Sequence, residues 1–172
     1  MGQLIDELGP IMVNRNTGDA AKVQLMMAAI DDERVVPYYA QLAEKPHFSP
    51  RLDACQALAR FNNDLAFETL KKLMKTTGAD IRGSGINEKL DASSADGVRH
   101  AAMGAIIHSP HPQAKVLAWT FADDPYYGVR LTVLHRAYEL KTAEARAIIE
   151  KMTTDAHEMV RDEAIRYRKL LP

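Results

Sequence analysis

The sequence predicts an all-α protein, an α-solenoid of about four to five helical hairpins with an N-terminal capping helix. Three observations carry that expectation. An arginine-anchored pattern recurs along the chain at spacings of 29, 48, 31 and 31 residues. Each copy gathers its apolar residues on one helical face. No segment keeps up the alternation of apolar and polar residues that a half-buried strand requires.

The anchors are Arg51 in "PRLDACQAL", Arg99 in "GVRHAAMGAI", Arg130 in "GVRLTVLHRA" and Arg161 in "MVRDEAIRY", with Lys22 in "AKVQLMMAA" as a weaker first copy. One residue before the anchor stand Ala21, Pro50, Val98, Val129 and Val160. Three after it stand Leu25, Ala54, Ala102, Val133 and Ala164, and four after it Met26, Cys55, Met103, Leu134 and Ile165. Seven after it come Ala29, Leu58, Ile106, Ala137 and Arg168. These offsets share one face of a helix, and the small residue three after the anchor allows close approach of a neighbour. Arg168 departs from its column, as expected of a terminal copy with no successor to pack against.

In chain order, 1–16 is expected to form the N-terminal cap, with a helix over 2–14 interrupted or ended at Gly9-Pro10. Residues 17–77 hold the first two repeats, 78–94 a loop insertion and 95–172 the third to fifth repeats, all within one domain spanning 1–172. The insertion accounts for the long spacing, and Gly78, Gly83 and Gly85 mark it as a loop, with "INEKLDA" able to form a short helical turn. Every copy but the last is followed by a second helix: "DERVVPYYAQLAE", "NDLAFETLKKLMK", "HPQAKVLAWTFAD" and "TAEARAIIEKMT". Pro37 and Pro112 stand near the starts of two of these, where a missing N–H costs little. Asn63, Asp64 and Thr142 are N-cap candidates. Asp124 and Asp155 lie six residues before Arg130 and Arg161, at the turn into the next copy.

With 172 residues, 47% of them apolar, the chain is long enough for one domain with a sizeable core. The formal net charge of −1 lacks the cationic excess that a phosphate backbone calls for, so nucleic acid is not the expected partner. Cys55 is the only cysteine, which excludes an internal disulfide and a thiolate metal cluster. No basic segment followed by an apolar run opens the chain, and no apolar run reaches membrane-spanning length. A cytoplasmic protein without a membrane partner is expected.

Helix pairs with a period near 30 residues, an Asp at the turn, Val-Arg entering the helix and Ala in the packing column resemble HEAT repeats. The short bacterial HEAT-like kind, found also in phycobilin lyases, is closest. "DDPYYGVRLTVL" and "DAHEMVRDEAI" carry the resemblance best, and it covers 17–171. It implies that the second helices line a concave surface, and that the scaffold is non-catalytic and binds a protein partner there. In "HPQAKVLAWTFAD", Ala114, Leu117, Ala118 and Phe121 then face the core while Lys115 and Trp119 face outward. Glu68, Lys72 and Lys75 face outward from the second repeat, Arg34 and Gln41 from the first, and Glu150 from the fourth. A tryptophan beside a cation is a common binding anchor, so these eight residues form the expected partner site. The competing expectations are a small enzyme or tetrapyrrole-handling protein on the same scaffold, and a HEAT-like nucleic-acid binder.

No catalytic, cofactor or metal residues are assigned. His108 and His111 form an H-x-x-H arrangement, but they flank the turn between two helices, and His100 lies most of a helix away. HEAT-repeat deoxyhypusine hydroxylases hold iron with repeated His-Glu pairs, whereas this chain has one, His157-Glu158, with Asp162 where that pattern has His. Trp119 and Asp123, one turn apart, echo HEAT-like DNA glycosylases, without the basic balance that duplex binding wants. Cys55 falls in a core column and is expected to be a small buried hydrophobe.

Overall fold

The computed structural model describes residues 2–14, 20–81 and 88–171, and every regular element among them is helical. The helices are α1 (Gly2–Val13), α2 (Ala20–Ala28), α3 (Val36–Ala43), α4 (Phe48–Leu58), α5 (Asp64–Leu73), α6 (Glu88–His108), α7 (Ala114–Trp119), α8 (Tyr127–Leu140), α9 (Ala143–Met152) and α10 (Glu158–Leu170). Short 3-10 turns occupy Glu33–Val35 and Gly78–Asp80. The chain groups into two compact units, Met1–His111 and Pro112–Pro172. In the first, α3 packs on α1, α4 and α5, and α6 packs on α4 and α5. In the second, α8, α9 and α10 pack on one another.

Local chemistry sets the helix ends. Asn63 accepts from the Leu65 and Ala66 amides to cap α5, and Thr142 accepts from Ala145 to cap α9. Lys141 ends α8 in the left-handed conformation (φ 53°), which turns the chain at once into the α9 cap. The apolar columns explain the packing. Val98, Val129 and Val160 are wholly buried, as are Ala54, Ala102, Val133 and Ala164 three residues after the anchors. Cys55, Met103 and Leu134 fill the next column. Ile165 is half-buried and Arg168 exposed, so the last copy loses its apolar face from the outer end.

The anchor arginines do more than mark a pattern. Three helices, α4, α8 and α10, begin three residues before Arg51, Arg130 and Arg161. Each of these guanidiniums reaches back six residues to a backbone carbonyl: Arg51 to Lys45 at 2.8 Å, Arg130 to Asp124 at 2.7 Å, Arg161 to Asp155 at 3.1 Å. The bond ties the turn down on the first coil of the helix and satisfies a carbonyl that the turn would otherwise leave unpaired. Asp155 joins two such units. Its carboxylate takes the Arg130 fork in two 2.8 Å bonds, its carbonyl takes Arg161, and it also accepts from the His157 amide.

Three expectations are corrected. Helix α1 runs through Gly9-Pro10 without a break. Gly9 is instead a contact point, since a Cβ there would stand 2.4 Å from the Tyr38 ring of α3. In α2 the register differs: Leu25 and Met26, expected inside, are 75% and 50% exposed, while Ala20, Val23 and Met27 are buried. The Ala21 side chain lies outside the described residues, as do 15–19. Finally, α6 begins at Glu88 and takes in the end of the 78–94 stretch as helix. Arg99 therefore lies mid-helix, pairing with Asp96 at 2.8 Å and with the Thr76 carbonyl at 3.3 Å in place of a preceding turn. Gly78 serves close packing of its 3-10 turn on the α6 backbone at Ala92. Gly83 and Gly85 lie outside the described residues.

Candidate functional site

The eight residues expected to meet a partner divide between the two units. In Met1–His111, helix α5 buries Ala66, Phe67, Leu70 and Leu73 and turns Glu68 and Lys72 outward, with Lys75 exposed just beyond its end. Glu68 pairs with Lys71 at 3.1 Å, and Lys72 pairs with Glu44 of the neighbouring hairpin at 2.7 Å. Gln41 is exposed on α3. Arg34 belongs to the 3-10 turn ahead of α3 rather than to the helix itself, and its guanidinium is bound to Asp32 at 2.6 Å. That guanidinium holds the Asp32 carboxyl down to about 2.

In Pro112–Pro172, Lys115 is exposed on α7, while Trp119, its last residue, is half-buried. The Lys115 charge helps to lower the Glu144 carboxyl, after a backbone amide and the Thr142 hydroxyl. Glu150 is exposed on α9 and pairs with Arg168 at 3.2 Å. Of the four residues expected inward on α7, Ala114 and Ala118 are buried and Leu117 and Phe121 half-buried.

Within the first unit the structure brings together Lys72, Lys75 and residues the sequence did not single out for binding. Glu44, Arg51, Thr69, Thr76 and Asp80 line with them a cavity of about 390 Å³ between α3, α5 and the turn that follows α5. Thr69 gives its hydroxyl proton to the Leu65 carbonyl at 2.7 Å. Asp80 caps its own turn, accepting from the Thr77 amide and hydroxyl at 2.8 Å each, and those bonds lower its carboxyl pKa. The arginine column could have pointed to Arg51, but Asp80 lay in what looked like loop. The wall carries both signs of charge, and all its titratable groups except the half-buried Arg51 are exposed.

Cys55 is buried, and burial pushes its thiol up to about 12, which withholds the nucleophilic thiolate. His111 is buried, stacked on Phe67 with ring centres 4.1 Å apart and 3.0 Å from Asp64. His100 and His108 are exposed. His157 stacks on Tyr127 at 3.8 Å. Among the described residues no three His, Cys, Asp or Glu side chains are placed to share a metal ion, and no helix is long and apolar enough to cross a membrane. The chain matches no known protein family and no curated protein.

Proposed function

We propose that this chain is a cytoplasmic, non-catalytic scaffold, an α-solenoid of HEAT-like hairpins that takes a protein partner on the outward faces of its second helices. The observation that carries the reading is the wall formed by α3, α5 and the turn after α5. It presents Glu44, Lys72, Lys75 and Asp80 to solvent around one recess, cations and carboxylates together, with Gln41 and Glu68 exposed on the same two helices. Interleaved signs suit the mixed charge of a protein surface, whereas a phosphate backbone calls for concentrated cations. The hairpins behind that wall are held by buried columns and arginine-to-carbonyl bonds, which gives a partner a preorganised face. An enzyme on the same scaffold would call for buried titratable groups converging on the recess; here Glu44, Lys72, Lys75 and Asp80 are solvated.

Affinity capture from the native host tests the reading. Lys72→Glu and Trp119→Ala are expected each to weaken retention of a protein recovered by the intact chain, by at least about tenfold. Full retention by both variants would overturn the assigned face.

A further inference from the structure

Arg51 and Arg130 occupy the same place in their turns. Each reaches back six residues to a carbonyl and forward 25 residues to a side chain. For Arg130 the forward partner is the Asp155 carboxylate, which takes both Nε and Nη2 at 2.8 Å. For Arg51 it is the Thr76 hydroxyl at 3.2 Å, and the other two bonds go to the Lys45 and Asp80 carbonyls. All three acceptors of Arg51 are neutral. The acid beside it, Asp80, feels its charge but is folded back on Thr77.

Among the described residues Arg51 is thus a partly buried cation without a carboxylate bonded to it, and it lines the 390 Å³ cavity together with Lys72 and Lys75. Lys75 makes no ion pair among the described residues. Lys72 pairs only with Glu44, and both side chains of that pair are more than half exposed (67% and 58%), so exchanging it for another carboxylate costs little. The guanidinium keeps N–H donors on its terminal nitrogens beyond the bonds it already makes. Among the described residues, two cavity-lining carboxylates stand against three cations, one negative charge short of balance.

We propose that the cavity receives an acidic side chain, Asp or Glu, of the protein partner, whose carboxylate accepts from the spare terminal N–H groups of Arg51 and from the Lys75 ammonium. The inference rests on the scaffold reading and adds the chemistry of the partner's contact. An amide or hydroxyl would satisfy the free donors but leave the charge unmatched, and a cationic residue would be repelled.

The test is a titration of the intact chain, followed through the Arg51 side-chain N–H resonance, with a capped tri-glutamate peptide, a capped tri-lysine peptide and inorganic phosphate. Tri-glutamate is expected to shift the resonance saturably, tri-lysine to leave it in place, and phosphate to bind at least about tenfold more weakly. Absence of a saturable shift with tri-glutamate, or phosphate binding as tightly as the peptide, would overturn the proposal. Thr76→Asp supplies in the same chain the carboxylate that Asp155 supplies to Arg130, so it should weaken the peptide about tenfold or more while the melting temperature is kept. Unchanged binding in that variant overturns the proposal. If Thr76→Asp does not fold, the exposed Lys75→Gln carries the same expectation and the same consequence. The two readings fail separately. If a captured partner is held equally well by Thr76→Asp, the acidic contact falls and the scaffold stands. If no partner is captured while tri-glutamate still shifts Arg51, the scaffold falls and the carboxylate site stands.

Discussion

The turn held by Arg51 and the turn held by Arg130 differ most in the charge of the forward partner. Both close on a carbonyl six residues back, and both lead into a helix whose small and apolar columns are buried. The forward partner is a hydroxyl in one and a carboxylate in the other. Hairpin geometry therefore rests on the carbonyl bond and the columns, and the forward carboxylate is an addition that neutralises the cation. Where it is present, the guanidinium is wholly engaged in structure. Where it is absent, the same cation lines the recess beside α5.

Truncation of the arginines should break this comparison most sharply. Arg130→Ala leaves the Asp155 carboxylate, 9% exposed, without its counter-charge, and is expected to cost about 3–5 kcal/mol in urea unfolding. Arg51→Ala strands only neutral acceptors and should cost about 1–3 kcal/mol. Equal losses would mean that the carboxylate contributes nothing beyond its hydrogen bonds. Next in size is the column beneath the arginines. Ala54→Leu and Ala164→Leu, at wholly buried sites, should each destabilise by about 1–3 kcal/mol through overpacking, one in each unit.

Acid should separate the turns by a smaller margin. Hydrogen bonding from Arg130 lowers the Asp155 carboxyl in the folded chain. A depressed folded pKa gives stability that is fully present above the unfolded value of about 4 and is lost as pH falls through the folded one. The unfolding midpoints of Asp155→Asn and the unaltered chain should therefore differ at pH 6 and draw together as pH falls below about 4; a gap that stays constant with pH would contradict the ion pair. Asp80, lowered by Thr77, makes the same kind of contribution to the first unit, and Asp80→Asn reads it. The smallest effect is at the surface. Lys72→Ala should change stability by no more than about 0.5 kcal/mol, since its pair with Glu44 is solvated. A larger loss would show that the pair braces the hairpins rather than merely lining the recess.

Much of this organisation was legible in the sequence because periodic burial leaves a periodic trace. The valines before Arg99, Arg130 and Arg161, and the small residues after them, stand where column reading put them. The caps at Asn63 and Thr142 were equally plain, since an oxygen-bearing side chain ahead of an apolar run has few other uses there. The first copy failed because the match at Lys22 set the wrong register: α2 buries Val23 and Met27 and leaves Leu25 and Met26 exposed. Gly9-Pro10 read as a stop because glycine has two uses, and its use here, making room for Tyr38, depends on a partner helix far along the chain. The recess was invisible for the same reason. Arg51, Thr76 and Asp80 are joined by bonds spanning 25 and 29 residues, and no local pattern encodes which side chain a guanidinium will meet.

The forward bonds also bear on how the chain finds its fold. Arg51 and Arg130 each close a loop of the same span, 25 residues, and Arg60 reaches the Ala28 and Ile30 carbonyls over 32 and 30. Loop-closure entropy grows only with the logarithm of span, so these steps cost nearly the same wherever along the chain they occur. A chain built in this way can begin to fold at either unit, with no distant segment needed to start it.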